Sequence, residues 1–423
     1  MDYPRFQFIK QRYPDPRPVD IQKAVAAELA GSGLLDPVQA GQKVAITAGS
    51  RGISAKPAVL RVLAGAVKAK GADPFLMPAM GSHGGGTGPG QVEVLQHIGI
   101  TEAHVGAPIY DGWDLVELGR VGDLVTLYVD RAVTAADHVI VVNRIKEHTE
   151  YKGPTESGLI KMMAIGLGRQ PGAEQAHALA VNLGYYQALH AMAAVMFERL
   201  NILGGVGILE DQRNTFRRVA VLKAADMTRG EARLMAESRT HKPKLPFDTL
   251  DFLIIDQIGK EISGTGADTK VVGRIMNIYE EELKSPHITR ILVRDLSDDT
   301  DGNAIGIGLA DYTTRRCVDR INPAVTALNA ITGCTPEKGR IPLTGANDEQ
   351  AFQFVLRTIG VWQPETVRGA WIKNSKDLEV LAVTPALAKE ALGRDDLEVL
   401  GRPMVMPFDD EGNLPRNILG LLE

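Results

Sequence analysis

The sequence predicts an α/β protein made of two α/β domains, each with a mainly parallel sheet, and a cleft between the domains. Short apolar runs of strand length alternate with amphipathic stretches of helix length, and this alternation is typical of parallel sheets covered by helices on both faces. A chain of 423 residues is too long for one compact core, which favours two domains. The 44 glycines indicate many tight turns between strands and helices.

The first domain shows its strands as continuous apolar runs. These are KVAIT at Lys43–Thr47, PFLMPAM at Pro74–Met80 and HVIVVN at His138–Asn143, and each run predicts a buried strand. The segment Asp114–Asp130 alternates apolar and polar residues around Val121–Gly122, which predicts a β-hairpin that turns there.

A proline-rich, charged segment, Arg239–Asp248, interrupts this pattern and is predicted to be the interdomain linker. We therefore expect a cofactor-binding N-terminal domain over residues 1–245. A C-terminal domain over residues 246–423 is expected to close over the substrate. Within it, the sequence predicts strands in TLDFLIIDQIG, ITRILVRDL and DLEVLAVT, and helices at Thr313–Ala330, Asp348–Ile359 and Pro385–Leu392.

Charge and composition exclude several classes of function. The net charge is −5 and the basic residues are scattered, so no nucleic-acid partner is expected. No apolar run approaches the roughly 20 residues of a membrane helix, and the first residues lack the apolar core of a signal peptide. We expect a cytoplasmic protein with no membrane partner. Cys317 and Cys334 are expected to be reduced thiols of the core.

Polar loops follow four of the predicted strands. They are AGSRG at Ala48–Gly52, MGSHGGGTG at Met80–Gly88, RIKEHTEYKG at Arg144–Gly153 and QIGKEISGTGAD at Gln257–Asp268. Ligands of open α/β sheets bind beyond the carboxyl ends of the strands. The first three loops are therefore expected on one rim of the first domain, and the fourth is expected to face them from the second domain.

The loop Met80–Gly88 contains one histidine, His83, among five glycines. Its amides could form an anion nest, but the loop lacks the spacing of a nucleotide-binding P-loop. An imidazole in a cleft is a general acid or base near neutral pH. The alternative is a flexible turn that carries an exposed histidine.

The segment Asn143–Gly168 has the highest density of candidate residues. His148 follows the strand, and Lys161 is the one charged residue in an apolar stretch. That lysine either extends to the surface along its aliphatic stem or presents an amine for covalent chemistry in a cleft. His177 follows 16 residues later, in a predicted helix.

The order of His83, His148, Lys161 and His177 resembles the nickel-dependent lactate racemase superfamily. The resemblance covers Val44 to Leu179 well and the second domain loosely. The 16-residue interval from Lys161 to His177 matches the family's interval between the lysine that bears the cofactor and the histidine that binds nickel. This family interconverts the stereoisomers of 2-hydroxy acids.

The resemblance implies a racemase or epimerase that uses a nickel-pincer nucleotide, a pyridinium thioamide/thiocarboxylate mononucleotide that holds nickel. Proteins that synthesise the cofactor would then be partners, with a small 2-hydroxy acid as substrate. The implied site residues are His83 and His148 as the acid/base pair, Lys161, Arg51, Ser50, Gly84 and Gly85 at the cofactor, Lys260 and Gln257 at the substrate, and His177 on nickel.

Two departures from the family keep other functions open. AGSRG stands where the family has Asp-x-Thr-Arg, and Gly-Leu-Ile-Lys replaces Gly-Gly-Arg-Lys before the cofactor lysine. One alternative is an enzyme of the same fold that acts on a hydroxy acid without the cofactor, such as a dehydratase. Another is a non-catalytic protein that binds an anion or metabolite through the glycine-rich loops.

Overall fold

A computed structural model of the chain describes residues 2–15, 19–50, 52–81 and 83–422. Contacts divide the chain into two compact units. The first unit is Pro16–Lys242, and the second unit is Met1–Asp15 together with Pro243–Glu423. Both units combine helices with a large, mainly parallel sheet, and the predicted α/β fold class is confirmed.

The strands in chain order are β1 Phe6–Gln11, β2 Lys43–Ala48, β3 Asp73–Pro78, β4 Leu115–Val121, β5 Val125–Asp130, β6 His138–Arg144, β7 Ile202–Glu210, β8 Phe216–Lys223, β9 Thr249–Ile258, β10 His287–Leu296, β11 Tyr312–Thr314, β12 Leu343–Gly345, β13 Gly369–Ile372, β14 Val380–Val383 and β15 Leu397–Met404.

The α-helices are α1 Ile21–Ser32, α2 Lys56–Ala69, α3 Gly88–His97, α4 Glu102–Val105, α5 Arg131–Thr134, α6 Leu159–Lys161, α7 Arg169–Leu183, α8 Tyr185–Arg199, α9 Met227–Thr240, α10 Thr269–Val272, α11 Arg315–Asp319, α12 Pro323–Thr332, α13 Asp348–Leu356 and α14 Pro385–Ala391. A π-helical turn, Met162–Leu167, continues α6.

The sheet of the first unit has the order β3-β2-β6-β7-β8. Strands β3, β2, β6 and β7 are parallel, and β8 is antiparallel to β7. Ile140 and Val142 of β6 pack into one buried cluster, whereas Val139 and Val141 pack into another. The sheet is therefore covered on both faces. Because β2, β3 and β6 are parallel, the loops that follow them leave the same edge of the sheet.

The predicted strands of the first unit are confirmed with small shifts at their ends. The run predicted as Pro74–Met80 forms β3, which ends at Pro78. The hairpin predicted near Val121–Gly122 is also confirmed, since β4 and β5 form a separate antiparallel pair.

The sheet of the second unit has the order β12-β11-β10-β9-β13-β14-β1-β15. The five strands from β12 to β13 are parallel, and β14, β1 and β15 are antiparallel to their neighbours. The N-terminal strand β1 therefore belongs to the second unit, whereas the prediction included it in an N-terminal domain of residues 1–245. Phe8 of β1 is paired with Ala382 and Leu400, and the units divide between Lys242 and Pro243.

The helix predicted at Thr313–Ala330 is wrong as a single element. The chain instead forms β11, α11 and α12, and it breaks around Asn322. Asn322 accepts the N–H groups of Ala324 and Val325 at 3.1 and 3.2 Å, and Pro323 takes the first helical position, where no N–H is needed. The other two predicted helices form as α13 and α14 and end one to three residues early.

Both cysteines are free thiols. Cys317 is buried in the core of the second unit, and burial raises its pKa to about 12. Cys334 is only half-buried, so the expected core position holds for Cys317 alone. Within the described ranges, no helix combines the length and the apolar character that crossing a membrane requires.

Candidate active site

The side chains of Lys161 and His148 are in direct contact, with Nζ of the lysine 2.6 Å from Nε2 of the imidazole. His148 lies in the segment after β6, and Lys161 is the last residue of α6. Both residues are partly buried. The π-helical turn begins directly after Lys161, and such turns inside helices are frequent at functional sites. The structure thus joins two of the four residues that carry the resemblance.

The backbone of Glu150 determines where His148 carries its proton. The Glu150 N–H donates to Nδ1 of His148 at 3.1 Å, so Nδ1 has a lone pair and the neutral ring holds its proton on Nε2. The Nε2–H group then donates to Lys161, whose nitrogen must accept through a lone pair. An ammonium group has no lone pair, so this hydrogen-bond pattern favours a neutral amine beside a neutral imidazole.

A buried carboxylate holds the backbone of His148. Glu156 is 1% exposed, and its Oε2 accepts the His148 N–H at 2.6 Å. Its Oε1 accepts from Arg239 of α9 at 2.7 Å. Sequence reasoning missed both residues, because an acid and a base 83 positions apart leave no local pattern.

His177 is bound by a tyrosine from the next helix. Helices α7 and α8 meet at Gly184, whose φ of 78° is in the left-handed region. Tyr185 follows this turn, is fully buried, and its hydroxyl makes a short hydrogen bond with Nδ1 of His177. This contact fixes the orientation of the imidazole, so that Nε2 faces away from the tyrosine.

Tyr185 also links His177 to the first pair. Its ring centroid lies 6.1 Å from that of His148, and it stacks on Tyr151 at 5.3 Å. Tyr151 in turn lies 4.8 Å from His148. One aromatic cluster therefore connects His148, Lys161 and His177. The sequence signal for this cluster is Tyr151 in EHTEYKG and Tyr185 in LGYYQ. The resemblance rests on three histidines and a lysine, so it gave no reason to single out these tyrosines.

His83 lies in a loop whose glycines have conformations that other residues rarely adopt. Gly84 and Gly85 both have a φ of 66°. A Cβ at Gly84 would lie 2.5 Å from the backbone of Gly90, so the loop folds tightly onto the start of α3. The backbone requires glycine at this position. His83 itself is exposed. This exposure agrees with the alternative interpretation, in which the loop is a turn that carries an exposed histidine.

The loop packs against the beginning of α7, the helix that carries His177. A Cβ at Gly81 would lie 3.2 Å from Cβ of Ala173, and one at Gly86 would lie 2.2 Å from Oε1 of Gln170. The structure therefore places the backbone around His83 two helical turns from His177.

A buried glutamine and a buried arginine hold this loop. The Gln91 amide donates to the carbonyls of Gly81 and His83 at 2.9 and 3.3 Å. Its oxygen accepts from Nη1 of Arg169 at 2.8 Å. Arg169 is completely buried and has a φ of 55°. A strained backbone that the surroundings enforce is a frequent property of functional sites, and neither residue was found from the sequence.

Arg169 is neutralised and stacked inside the first unit. Its Nη2 lies 3.2 Å from Asp130, and its guanidinium lies 4.6 Å from the centre of the Trp113 ring. Burial lowers the pKa of Arg169. Burial and the neighbouring Asp130 raise the pKa of Tyr110 to about 12, so this hydroxyl stays protonated at neutral pH.

The loop after β2 contains Ser50, which is half-buried, and Arg51, which lies outside the described residues. Next to Ser50, a Cβ at Gly49 would lie 2.8 Å from Cε of Met162, so this loop touches the turn that follows Lys161. The ammonium of Lys56 donates to the Gly49 carbonyl at 2.8 Å. Lys56 is 2% exposed, a buried cation that sequence reasoning missed because it begins an amphipathic helix.

The predicted substrate residues belong to the second unit. Gln257 is in β9 and is half-buried. Lys260 follows β9, and its ammonium donates to Oδ1 of Asn329 in α12. The two residues are on one polar segment at the carboxyl end of a parallel strand, as predicted, and their contact with substrate stays a prediction.

Across the part of the chain that the structure describes, no group of three or more histidine, cysteine, aspartate or glutamate side chains is arranged to hold a metal ion.

Comparisons with known proteins give a family match and a fold. Residues 44–227 match the family model described as a domain of unknown function, DUF362. This range contains His83, His148, Lys161 and His177. No curated protein matches the sequence.

Two solved structures are similar to this chain. One is the lactate racemase apoprotein from Thermoanaerobacterium thermosaccharolyticum, with a TM-score of 0.51 and 11% identity over 87% of this chain and 89% of that chain. The other is a structural-genomics target from Thermotoga maritima, with a TM-score of 0.47 and 12% identity over 67% of this chain and 72% of that chain. The chain thus has a fold like that of the lactate racemase apoprotein.

Proposed function

We propose that the protein is a racemase or epimerase of a 2-hydroxy acid that works with a nickel-pincer nucleotide attached at Lys161. The observation that carries the proposal is the cluster in which Lys161 contacts His148 at 2.6 Å and Tyr185 connects both to His177. The likeness in fold to a lactate racemase apoprotein supports the same class of chemistry.

The chemistry of the donor set fits this cofactor. A neutral amine is the nucleophilic form of lysine, and the contact with Nε2–H of His148 describes such an amine at Lys161. The cofactor brings its own donors for nickel, so one imidazole completes the set, and imidazole is a suitable ligand for nickel. With Tyr185 bound at Nδ1, Nε2 of His177 would be the nitrogen that binds nickel, and Tyr185 would orient that ligand.

The bound nucleotide would supply a carbon that accepts a hydride and returns it. The protein residues provide everything else. His83 removes the hydroxyl proton on one face of the substrate carbon, and His148, with its proton on Nε2, returns a proton on the other face. The flat 2-oxo acid formed in between loses its configuration. The reverse reaction exchanges the two roles, since each imidazole can serve as acid or base near neutral pH.

The remaining predicted residues position the cofactor and substrate. Two loops that leave the same edge of the sheet contain Ser50, Gly84 and Gly85. Arg51 would bind phosphate or carboxylate. Lys260 and Gln257 would bind the substrate carboxylate and hydroxyl. We place the protein in the cytoplasm, together with the cofactor-synthesis proteins that would load it.

The test is production of the full chain with and without cofactor-synthesis proteins. Loaded protein should contain nickel, carry a mass adduct on the peptide with Lys161, and convert one enantiomer of a 2-hydroxy acid into the other. Substrate deuterated at C2 should keep its deuterium in both enantiomers, because the hydride returns without exchange. Lys161→Ala should abolish adduct and turnover, whereas Lys152→Ala, at an exposed position of the same segment, should retain both.

An acid/base enzyme without the cofactor is a second candidate, because an amine and an imidazole in contact can themselves exchange protons with a substrate. Turnover that survives Lys161→Ala and is lost in His83→Ala would favour it, as would loss of the C2 deuterium to water. Tight binding of a hydroxy acid without turnover in loaded protein would instead indicate the metabolite-binding alternative.

A further inference from the structure

The short helix α6, which ends at Lys161, is capped by a carboxylate from a distant helix. Oε2 of Glu231 accepts the N–H groups of Leu159 and Ile160 at 2.8 and 2.9 Å. The first N–H groups of a helix have no partner within the helix, and an acidic group there is stabilising. Glu231 belongs to α9, 70 residues after Lys161 in the chain.

The surroundings of Glu231 leave this carboxylate little freedom. Glu231 is completely buried, and a Cβ at Gly158 would lie 2.3 Å from its Oε1. On the other side, Asn143 at the end of β6 donates to the Gly158 carbonyl at 2.8 Å. The turn that begins α6 is thus held from β6 and from α9 at once.

Oε1 of Glu231 has no hydrogen-bond partner among the described residues. A buried carboxyl oxygen without a partner costs free energy, and this cost offsets part of the stabilisation that capping α6 provides. Burial raises the pKa of Glu231 to about 7. An apolar side chain would avoid the cost but would leave the N–H groups of Leu159 and Ile160 without their acceptor, so the position requires an acceptor oxygen.

We propose that Glu231 is a positioning residue: by holding the first turn of α6, it sets the amine of Lys161 against His148. Its carboxylate accepts hydrogen bonds from backbone N–H groups, and we assign it no part in the chemistry. The inference rests on the proposed function, in which Lys161 is the reacting amine, but it concerns the chain before any cofactor is attached.

The experiment measures the reactivity of the Lys161 amine in the unloaded full chain. Trace acetylation at several pH values, followed by peptide mass spectrometry, gives the Lys161 rate relative to Lys68, an exposed lysine of α2. In Glu231→Ala the relative rate of Lys161 should fall about tenfold at neutral pH, because the amine leaves the Nε2–H group that favours its neutral form; tenfold corresponds to one pKa unit. Glu231→Gln keeps an acceptor oxygen and should restore most of the rate.

The matched control is Glu237, an acid on the same helix that pairs with Arg218 instead. Glu237→Ala should leave the Lys161 rate and its pH profile unchanged. An unchanged Lys161 profile in folded Glu231→Ala would overturn the proposal.

A second measurement covers the case in which Glu231→Ala does not fold. In Glu231→Gln above pH 8, the amides of Leu159 and Ile160 should exchange hydrogen about five- to tenfold faster than in the wild type, since a charged acceptor binds them more strongly. Equal exchange would overturn the proposal. Both measurements use cofactor-free protein, so a missing adduct on Lys161 would refute the proposed function without touching this inference.

Discussion

Lys161 and His148 form an amine–imidazole pair in which Nζ lies 2.6 Å from Nε2, and the Glu150 N–H on Nδ1 fixes the direction of the hydrogen bond. The pair joins two segments of the chain that are 13 residues apart. It gives the first unit a nucleophile next to an acid. The proposed chemistry requires a neutral amine on Lys161 and a proton on Nε2 of His148.

We predict that the neutral ring of His148 carries its proton on Nε2. Nitrogen NMR of histidine-labelled protein distinguishes the two tautomers, and the signal of His148 is the one lost in His148→Asn. His138 serves as reference, because Nε2 of that ring faces the Gln42 oxygen at 3.0 Å and should show the same tautomer. A proton on Nδ1 would mean that Lys161 is a charged donor, and the pair would not be the one described.

Tyr185→Phe should weaken nickel retention by loaded protein about 10- to 100-fold, because the hydroxyl that orients His177 is lost. The ring remains to stack on Tyr151, so the fold should be unaffected. Nickel content after dialysis against a chelator measures the effect. Tyr186→Phe is the control, since that neighbour packs on His190 at 4.3 Å instead. Equal nickel retention in the two variants would remove Tyr185 from the site.

Gln91→Leu should destabilise the protein by about 2–3 kcal/mol, because it removes the buried partner of the Gly81 carbonyl and of Nη1 of Arg169. Urea titration measures the free energy of unfolding, and hydrogen exchange over residues 80–88 should accelerate. Gln96→Leu, at an exposed position of the same helix, should change the free energy by less than about 0.5 kcal/mol. Similar values for both variants would mean that Gln91 does not hold the loop.

The contribution of Glu231 to the free energy of unfolding should decrease as the pH rises. Its pKa is raised from the usual 4.5 to about 7, so the folded chain keeps a proton that the unfolded chain releases. The stabilisation from this group is full below pH 4.5 and is lost between pH 4.5 and 7, by about 3 kcal/mol. The difference in unfolding free energy between wild type and Glu231→Gln should follow this course.

Glu237 gives the opposite sign and so controls for other titrating groups. The hydrogen bond from Arg218 lowers the pKa of Glu237, so its stabilisation is present above the usual pKa and is lost as the pH falls. A flat difference between wild type and Glu231→Gln from pH 4.5 to 7 would show that the Glu231 carboxyl is not held in its buried position.

Much of the first unit follows from local pattern. Continuous apolar runs of strand length predicted β2, β3 and β6, and the shared edge of the loops follows from the parallel arrangement of these strands. The pairing of β1 with β14 and β15 could not be predicted, because it joins residues nearly 400 positions apart. Asn322 and Pro323 are a local signal for the start of a helix. The apolar content of the surrounding stretch nevertheless favoured one continuous helix over Thr313–Ala330.

The candidate site likewise contains residues that local sequence pattern marks and residues that it does not. His148, Lys161 and His177 stand out because polar residues interrupt apolar sequence or follow a strand. Tyr185, Gln91 and Glu231 do not, since tyrosine, glutamine and glutamate in a helix are ordinary residues whose role depends on a partner elsewhere in the chain. Those contacts, such as Glu231 on the Leu159 N–H at 2.8 Å, exist only in the folded structure.

We propose that Lys161 bears the cofactor and that His177 binds its nickel. The most direct measurement is peptide mass spectrometry with nickel analysis on full-length protein produced together with the cofactor-synthesis proteins, for wild type, Lys161→Ala and Lys152→Ala. We expect an adduct on Lys161 with an equimolar amount of nickel in wild type and Lys152→Ala, and neither in Lys161→Ala. Unmodified Lys161 in nickel-free wild-type protein would contradict it.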